Sequence, residues 1–353
     1  MLEGIRILDL SAVISGPMAT ALLADQGAEV IKVEPPEIGD MTRHLGPQRG
    51  GVSAMFAAAN RNKRSIVLDL KQPAGIAALL RLAASCDALV QNFRPGAADR
   101  MGIGYEAVRA VRKDIVYLSI SGFGSTGPYA HRKVYDPVVQ TVTGIAAAQG
   151  APGGEPRMVR TLVCDKATAL TAAQGLTAAL LARARTGEGR ALSVSMLDAS
   201  LYFHWPDLFW NHSLLDDDAA PMPDLADLFA ISRTADGYVA AITDGSIDFS
   251  EMSTAEALAM LDGADAPCAP VNTLEDVLSD PQVQASGTLF TSDHSTAGRL
   301  RQPRNPVRSD EGDRAPTLRH EAPALGAQGR EILREAGFET SEIDALAADG
   351  VLR

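Results

Sequence analysis

The sequence predicts an α/β protein built on a mainly parallel sheet covered by helices, followed by a second and smaller domain. Three observations carry this expectation. Short apolar runs rich in Ile, Val and Leu alternate with helical patterns over the first 200 or so residues, as a parallel sheet with crossover helices requires. A long Ala-rich segment follows at 164–186. The regular alternation then fades after residue 210, where prolines and acids interrupt it.

The elements can be justified in order. GIRILDLS reads as a strand, Ser15-Gly16-Pro17 as a tight turn, Met18 to Gln26 as a helix and AEVIKVE as the next strand, giving a β-α-β unit. SIVLDL at 65–70 is a further strand, and the helix Pro73 to Ala84 after it places Ile76, Leu79, Leu80 and Ala83 on one face. ALVQNF, a helix around Tyr105 to Arg112 and the strand IVYLSISGFG continue the alternation. CDKATALTAAQGLTAALLARART is a long helix stopped by Gly187 and Gly189, and ALSVSMLDASL is a strand entering another helix. Beyond it, Pro221, Pro223 and the acidic run Asp216 to Asp218 precede a strand at GYVAAIT and a helix near Thr254 to Leu261. The Pro- and Arg-rich stretch 301–318 predicts an extended crossing segment, ending in a helix over Ala327 to Ala336. The expected division is 1–210, 211–285 and 286–353, the last segment returning to the first domain.

Bulk properties exclude several classes. With 353 residues, 46% of them hydrophobic, the chain can bury at least one large core. No apolar run is long enough to span a bilayer, and MLEGIRILDL enters a strand pattern directly, so the expectation is a cytoplasmic protein without membrane attachment. A net charge of −12 argues against nucleic acid as partner. Cys86, Cys164 and Cys268 are odd in number and lack CxxC spacing, which supports neither a disulfide framework nor a metal site. His204 and His212 flank aromatic residues without metal-ligand spacing and read as packing residues. The opening unit ends in Glu34, as a dinucleotide-binding fold would, but the turn offers only Gly16 followed by Pro17, so the GxGxxG fingerprint is missing.

Five blocks, GIRILDLSAVISGPMATALLADQGAEVIKVEPPEIGDMTR, NRNKRSIVLDLK, ALVQNFRPGAADRMGIGYE, GFGSTGPYAHRKVYD and the helix carrying Asp165, resemble in order and spacing the class III (CaiB/BaiF) CoA-transferases. That family includes formyl-CoA transferase and α-methylacyl-CoA racemase. A weaker match resumes at APCAPVNTLEDVLSDPQV. The resemblance implies a Rossmann-like large domain, a smaller domain that is shortened in this chain, and two copies threaded into an interlocked homodimer. It also implies an acyl-CoA donor and a carboxylic acid acceptor, with coenzyme A as substrate rather than as a tightly held cofactor.

Coenzyme A carries phosphates, so its binder needs cations and free amides on loops that follow strands. By resemblance, Leu68 to Lys71, Asn92, Phe93, Arg94, Arg100 and Lys133 to Tyr135 match positions that hold the nucleotide and pantetheine, while Val13, Ile14 and Ser15 match backbone contacts. Taken singly, each Lys or Arg is equally well read as a solvated surface charge. Pro35 stands where related transferases carry arginine, and Arg43 is the candidate to replace it. Asp165 opens the Ala-rich helix. From position alone it is best read as a helix cap; the resemblance makes it the nucleophile, forming a mixed anhydride with the acyl group and then an aspartyl-CoA thioester. The helix N-terminus is expected to lower its pKa and keep it ionised. Cys164 beside it reads as a buried small residue, with no nearby histidine in sequence to activate it. In the segment HRKVYDPVV, read as a loop, Tyr135 occupies the position of the racemase histidine, and a tyrosine with an ordinary pKa near 10 is a poor base. Transfer is therefore favoured over racemisation, for which His131 is the alternative base. A CoA-binding protein without turnover is the remaining alternative, motivated by the shortened small domain.

Overall fold

The computed structural model describes residues 1–150, 154–216, 220–225, 229–242, 247–308 and 318–353. Most of the acidic run at 216–218, the end of GYVAAIT and half of the 301–318 segment lie outside the described residues. The chain divides into two compact units, Met1–Leu201 with Phe290–Arg353, and Tyr202–Leu289.

In the first unit, strand β1 (Arg6–Asp9) leads into helix α1 (Ser15–Asp25) and strand β2 (Glu29–Glu34). Strand β3 (Lys63–Val67), helix α2 (Pro73–Ala83), strand β4 (Ala88–Gln91), helix α3 (Tyr105–Val111) and strand β5 (Val116–Ser121) continue the alternation. Helix α4 (Asp136–Val142), helix α5 (Val163–Thr186) and strand β6 (Arg190–Ser195) follow, and helix α6 (Met196–Leu208) begins in this unit and ends in the second. The six strands form one sheet in the order β3-β2-β1-β4-β5-β6, and every pairing in it is parallel. This is the doubly wound order, with its topological switch between β1 and β4, where ligand crevices form outside the carboxyl ends of the strands.

Both sheet faces are covered, which is why the strands read as continuous apolar runs. Along β1 the period of two sends Ile7 to one core with Ala19, Leu23, Ala169, Ala172 and Leu176 from α1 and α5. It sends Leu8 to the opposite core with Leu79, Leu82, Ile103 and Val108. Small alanines on α5 let it lie close against α1, and Gly187, at φ 74°, ends α5 in the left-handed cap predicted for it.

The second unit has an antiparallel sheet of strands β7 (Ala230–Arg233), β8 (Tyr238–Ala241) and β9 (Cys268–Pro270), with β8 central. Helix α7 (Thr254–Gly263) begins with a Ser253–Glu256 capping box and buries Ala257 and Leu261 against Val239 and Phe249. The chain then forms a hairpin, Leu289–His294 with Gly298–Pro303, and two helices, α8 (Gly329–Glu335) and α9 (Thr340–Ala348). Ile332, Leu333 and Ile343 of these helices join the core that contains Leu8.

Three local expectations are corrected. Ser15-Gly16-Pro17 is the first turn of α1 rather than a separate turn, because the chain reverses one step earlier, at Val13. The strand expected at 65–70 is shifted to Lys63–Val67. DPVV, read as loop, starts α4, where Pro137 sits in the first helical turn as its fixed φ allows.

Candidate active site

The site rises from the switch point of the sheet. Asn92, just after β4, accepts from the Ala12 amide (2.9 Å) and donates to the Ala12 carbonyl (2.7 Å), clamping the loop after β1 to the loop after β4. The next residue, Val13, has φ 71°, a conformation that β-branched side chains strongly disfavour. Its amide donates to Asp40 Oδ1 (3.2 Å). Backbone in such a state persists only where its surroundings hold it, and here a buried ionic network lies beneath.

In that network Lys63 Nζ bonds Asp9 Oδ2 (2.9 Å), the Pro17 carbonyl (2.8 Å) and Asn60 Oδ1 (2.9 Å). Lys32 Nζ pairs with Asp40 Oδ2 (2.9 Å) and bonds the Ser11 carbonyl (2.9 Å). Asp9 also accepts from the amide and hydroxyl of Ser11 and from Thr20 Oγ1 (2.7 Å). Lys32, Lys63 and Asp9 are wholly buried. Burial opposes the charge on Asp9, yet Lys63 and Lys32 hold its carboxyl far below the usual range. Burial likewise opposes Lys32, and Asp9 and Asp40 keep its pKa raised. For Lys63 burial prevails and the pKa falls to about 8. Gly16 belongs to the same arrangement, because a Cβ there would collide with Ser11 Oγ.

Above this floor lies a cleft of about 330 Å³ lined by Ala12, Val13, Ser15, Asn92, Phe93, Arg94, Arg132, Lys133, Tyr135 and Asp165, among others. Asp165 is the third residue of α5 and 6% exposed. Its amide donates to Asp136 Oδ2 (2.9 Å), while Gln140 Nε2 donates to Asp136 Oδ1 (2.5 Å). Asp136 is fully buried and receives only donors, so the start of α5 is already neutralised by a fixed carboxylate. The expectation that the helix N-terminus lowers the Asp165 pKa is therefore reversed. Burial, and then the charge of Asp136, push it up to about 6, against hydrogen bonding from the side chain and backbone of Ser15. A carboxylate at this value is ionised at neutral pH and more basic than an ordinary aspartate, which suits covalent attack on a carbonyl.

The residues singled out from the sequence separate into groups. Val13, Ser15, Asn92, Phe93, Arg94, Lys133, Tyr135 and Asp165 line the first cleft. Leu68 and Lys71 line a second cleft of about 420 Å³, which shares Leu10, Ala12 and Phe93 with the first. Ile14 is buried and lines neither, and Arg100 is exposed and lies outside both. Arg43 is corrected: it is buried against Glu34 in a two-point ion pair (2.8 and 2.7 Å), donates to the Pro323 carbonyl (3.0 Å) and lines neither cleft. Asn92 is tied to Ala12 through its side-chain amide and so shapes the loop that lines the cleft. His131 is exposed and outside the lining. The Cys164 thiol is buried and its pKa is raised to about 11, in keeping with a packing role. His204 stacks on Phe209 at 5.7 Å. No group of ligand residues able to hold a metal is found among the described residues, and no described helix is long and apolar enough to cross a membrane.

Sequence reasoning missed Arg132 and the role of Asp136. Arg132 lies over the Tyr129 ring (4.0 Å) and lines the first cleft between Ala130 and Lys133. The Asp-Pro pair was a readable helix-start signal, but nothing local shows that its carboxylate reaches a helix 29 residues later.

The model of CoA-transferase family III matches residues 2–251 and 247–329. The chain belongs to CoA-transferase family III. Among its relatives, the mouse (Mus musculus) succinyl-CoA:glutarate CoA-transferase is 32% identical over 99% of this chain and 90% of its own length. The formyl-CoA:oxalate CoA-transferase of Rhodopseudomonas palustris is 30% identical over 99% and 97%. A CaiB/BaiF family crystal structure from Brucella suis superposes with a TM-score of 0.83 at 28% identity, covering 95% of this chain and 98% of that one. The protein is thus a class III CoA-transferase, and the transferase expectation from the sequence holds.

Proposed function

We propose that the enzyme moves coenzyme A from an acyl-CoA to a free carboxylate through covalent chemistry on Asp165. The Asp165 carboxylate attacks the thioester carbonyl and expels the CoA thiolate, leaving a mixed anhydride. The thiolate then attacks the aspartyl carbonyl, releasing the donor acid and forming aspartyl-CoA. The acceptor carboxylate attacks that thioester, giving a new anhydride and free thiolate. Attack of the thiolate on the acceptor carbonyl releases the new acyl-CoA and restores Asp165.

The observation that carries this reading is a buried carboxylate, poised at about 6, in a cleft rimmed by Arg94, Arg132 and Lys133. Those cations suit an anionic acceptor, and the names of the relatives support a short dicarboxylate. Val13, Ser15, Phe93 and Tyr135 would line the thioester end, and Leu68 and Lys71 the nucleotide end. Exposed apolar side chains, Leu170 (51%) and Leu181 (53%) on α5 and Tyr202 (84%) on α6, support burial against a second copy, the interlocked homodimer. An alignment of 400 residues against a 353-residue chain means that this chain lacks stretches the mouse relative has, and the reading assigns that loss to the small domain. A cytoplasmic setting completes the reading.

The test is intact-protein mass spectrometry after incubation with a panel of acyl-CoAs, with hydroxylamine trapping and peptide mapping. The expected adduct maps to Asp165 and is absent from Asp165→Ala, which still binds CoA. Turnover by the alanine variant, or an adduct elsewhere, overturns the mechanism.

A further inference from the structure

The second cleft contains a cation that neither the sequence pattern nor the family resemblance assigns. Residues 351–353 run antiparallel across the end of β3. The Asp69 amide donates to the Val351 carbonyl (2.9 Å), Leu68 and Leu352 form a bridge, and the Arg353 amide reaches the Val67 carbonyl (3.4 Å). This pairing brings Arg353 into the lining of the cleft, which also includes Glu34, Pro35, Pro36 and Lys71.

The other charges there are committed. Lys32 is held by Asp40 and Asp9, and Glu34 by Arg43 and Ser65. Asp69 accepts from the Lys71 amide (3.0 Å) and from Gln72 Nε2 (2.9 Å). These bonds hold its carboxyl below the usual range, with smaller help from the charges of Lys71 and Arg353. Among the described residues, neither the Lys71 nor the Arg353 side chain is drawn into an ion pair within 4.0 Å, and of the side-chain carboxylates in the lining Glu37 is left without a hydrogen-bond or ion-pair partner. Two cations without an ion-pair partner in the lining of one cleft suit an anion, and a guanidinium offers the planar fork that matches a phosphate.

We propose that Arg353, together with Lys71, recognises the 3'-phosphate of coenzyme A, taking the place of the arginine that Pro35 lacks. This rests on the CoA-transfer reading of the site. A nucleotide seated in the second cleft reaches the first through the shared wall of Leu10, Ala12 and Phe93, so the two clefts take the two ends of one extended ligand.

The experiment compares CoA with 3'-dephospho-CoA, by calorimetry, on the full-length wild type and on Arg353→Gln, Arg353→Lys and Lys71→Gln, each first checked for an unchanged melting temperature. The expected result is a loss of about ten- to thirtyfold in CoA affinity for Arg353→Gln, little change for 3'-dephospho-CoA, and partial recovery in Arg353→Lys. Equal loss for both ligands, as a pyrophosphate contact would give, overturns the proposal. So does no loss for either. A wild type that binds neither ligand overturns the CoA reading itself, whereas a wild type that binds both equally overturns only the 3'-phosphate assignment. Should Arg353→Gln melt early, the ratio of the two affinities in Lys71→Gln and Arg353→Lys decides.

Discussion

Replacing Asp165 with asparagine should stabilise the protein while abolishing turnover, and the gain should depend on pH. Folding raises the Asp165 pKa from an ordinary 3.8 to about 6, so the folded state binds its proton more tightly than the unfolded chain does. Below the unfolded value both states are protonated and the group contributes nothing. Stability is lost as pH rises from there, and the full cost is present once pH exceeds the folded value. A shift of about two units corresponds to about 3 kcal/mol at neutral and higher pH, falling to about half of that at about pH 5. Asparagine keeps the shape and carries no charge, so it escapes the cost. Urea unfolding of wild type and Asp165→Asn at about pH 8 and about pH 5 should give a gain of about 1–3 kcal/mol at the higher pH and a visibly smaller one at the lower. An equal gain at both values, or a loss at high pH, would refute the argument that burial and Asp136 strain this carboxylate.

Further outcomes follow from the same geometry. The acidic limb of kcat/KM should titrate near 6 and move toward the ordinary carboxylate range in Asp136→Asn, since the second-largest cause of the upward shift is removed; an unmoved limb in a folded variant would exclude Asp136 as the partner charge. Lys63→Met strands Asp9 without its ion pair and should lower stability by about 3–5 kcal/mol, read as a fall in the urea midpoint. Gly16→Ala should reduce both melting temperature and CoA affinity through its clash with Ser11. Gly175→Ala, with nothing within 4 Å of the new methyl group inside α5, should add about 0.5–1 kcal/mol; reversal of that order would contradict the packing described around Ser11.

The alternating fold was legible because each parallel strand is covered on both sides and so carries a dense apolar run, as in VIKVE and ALVQ. Strand β3 resisted accurate placement because it begins with Lys63 and Arg64, buried charges whose partners Asp9, Glu29 and Glu335 are remote in sequence. Helix α9 was invisible for a local reason: its first turn is closed by Glu339 and Glu342 in place of a Ser or Thr cap. In the site, the cations after strands and Asp165 could be named from position and resemblance. The sign of the Asp165 shift could not, since it depends first on burial in the fold and then on the charge of Asp136 at the helix start. Arg43 showed the converse, a cation at a plausible position already consumed by Glu34.

The ionic floor beneath Val13 also bears on how this sequence can change over generations. Any single neutral replacement at Asp9, Lys32, Lys63 or Asp40 leaves a buried charge without its counterpart, whereas concerted replacement by apolar residues of similar volume can be nearly neutral for stability. Such positions are epistatically locked: the intermediates are disfavoured even where the endpoints are not. Laboratory diversification of the first cleft should therefore vary its rim, Arg94, Arg132, Lys133 and Tyr135, and leave the four floor residues together as one inherited block.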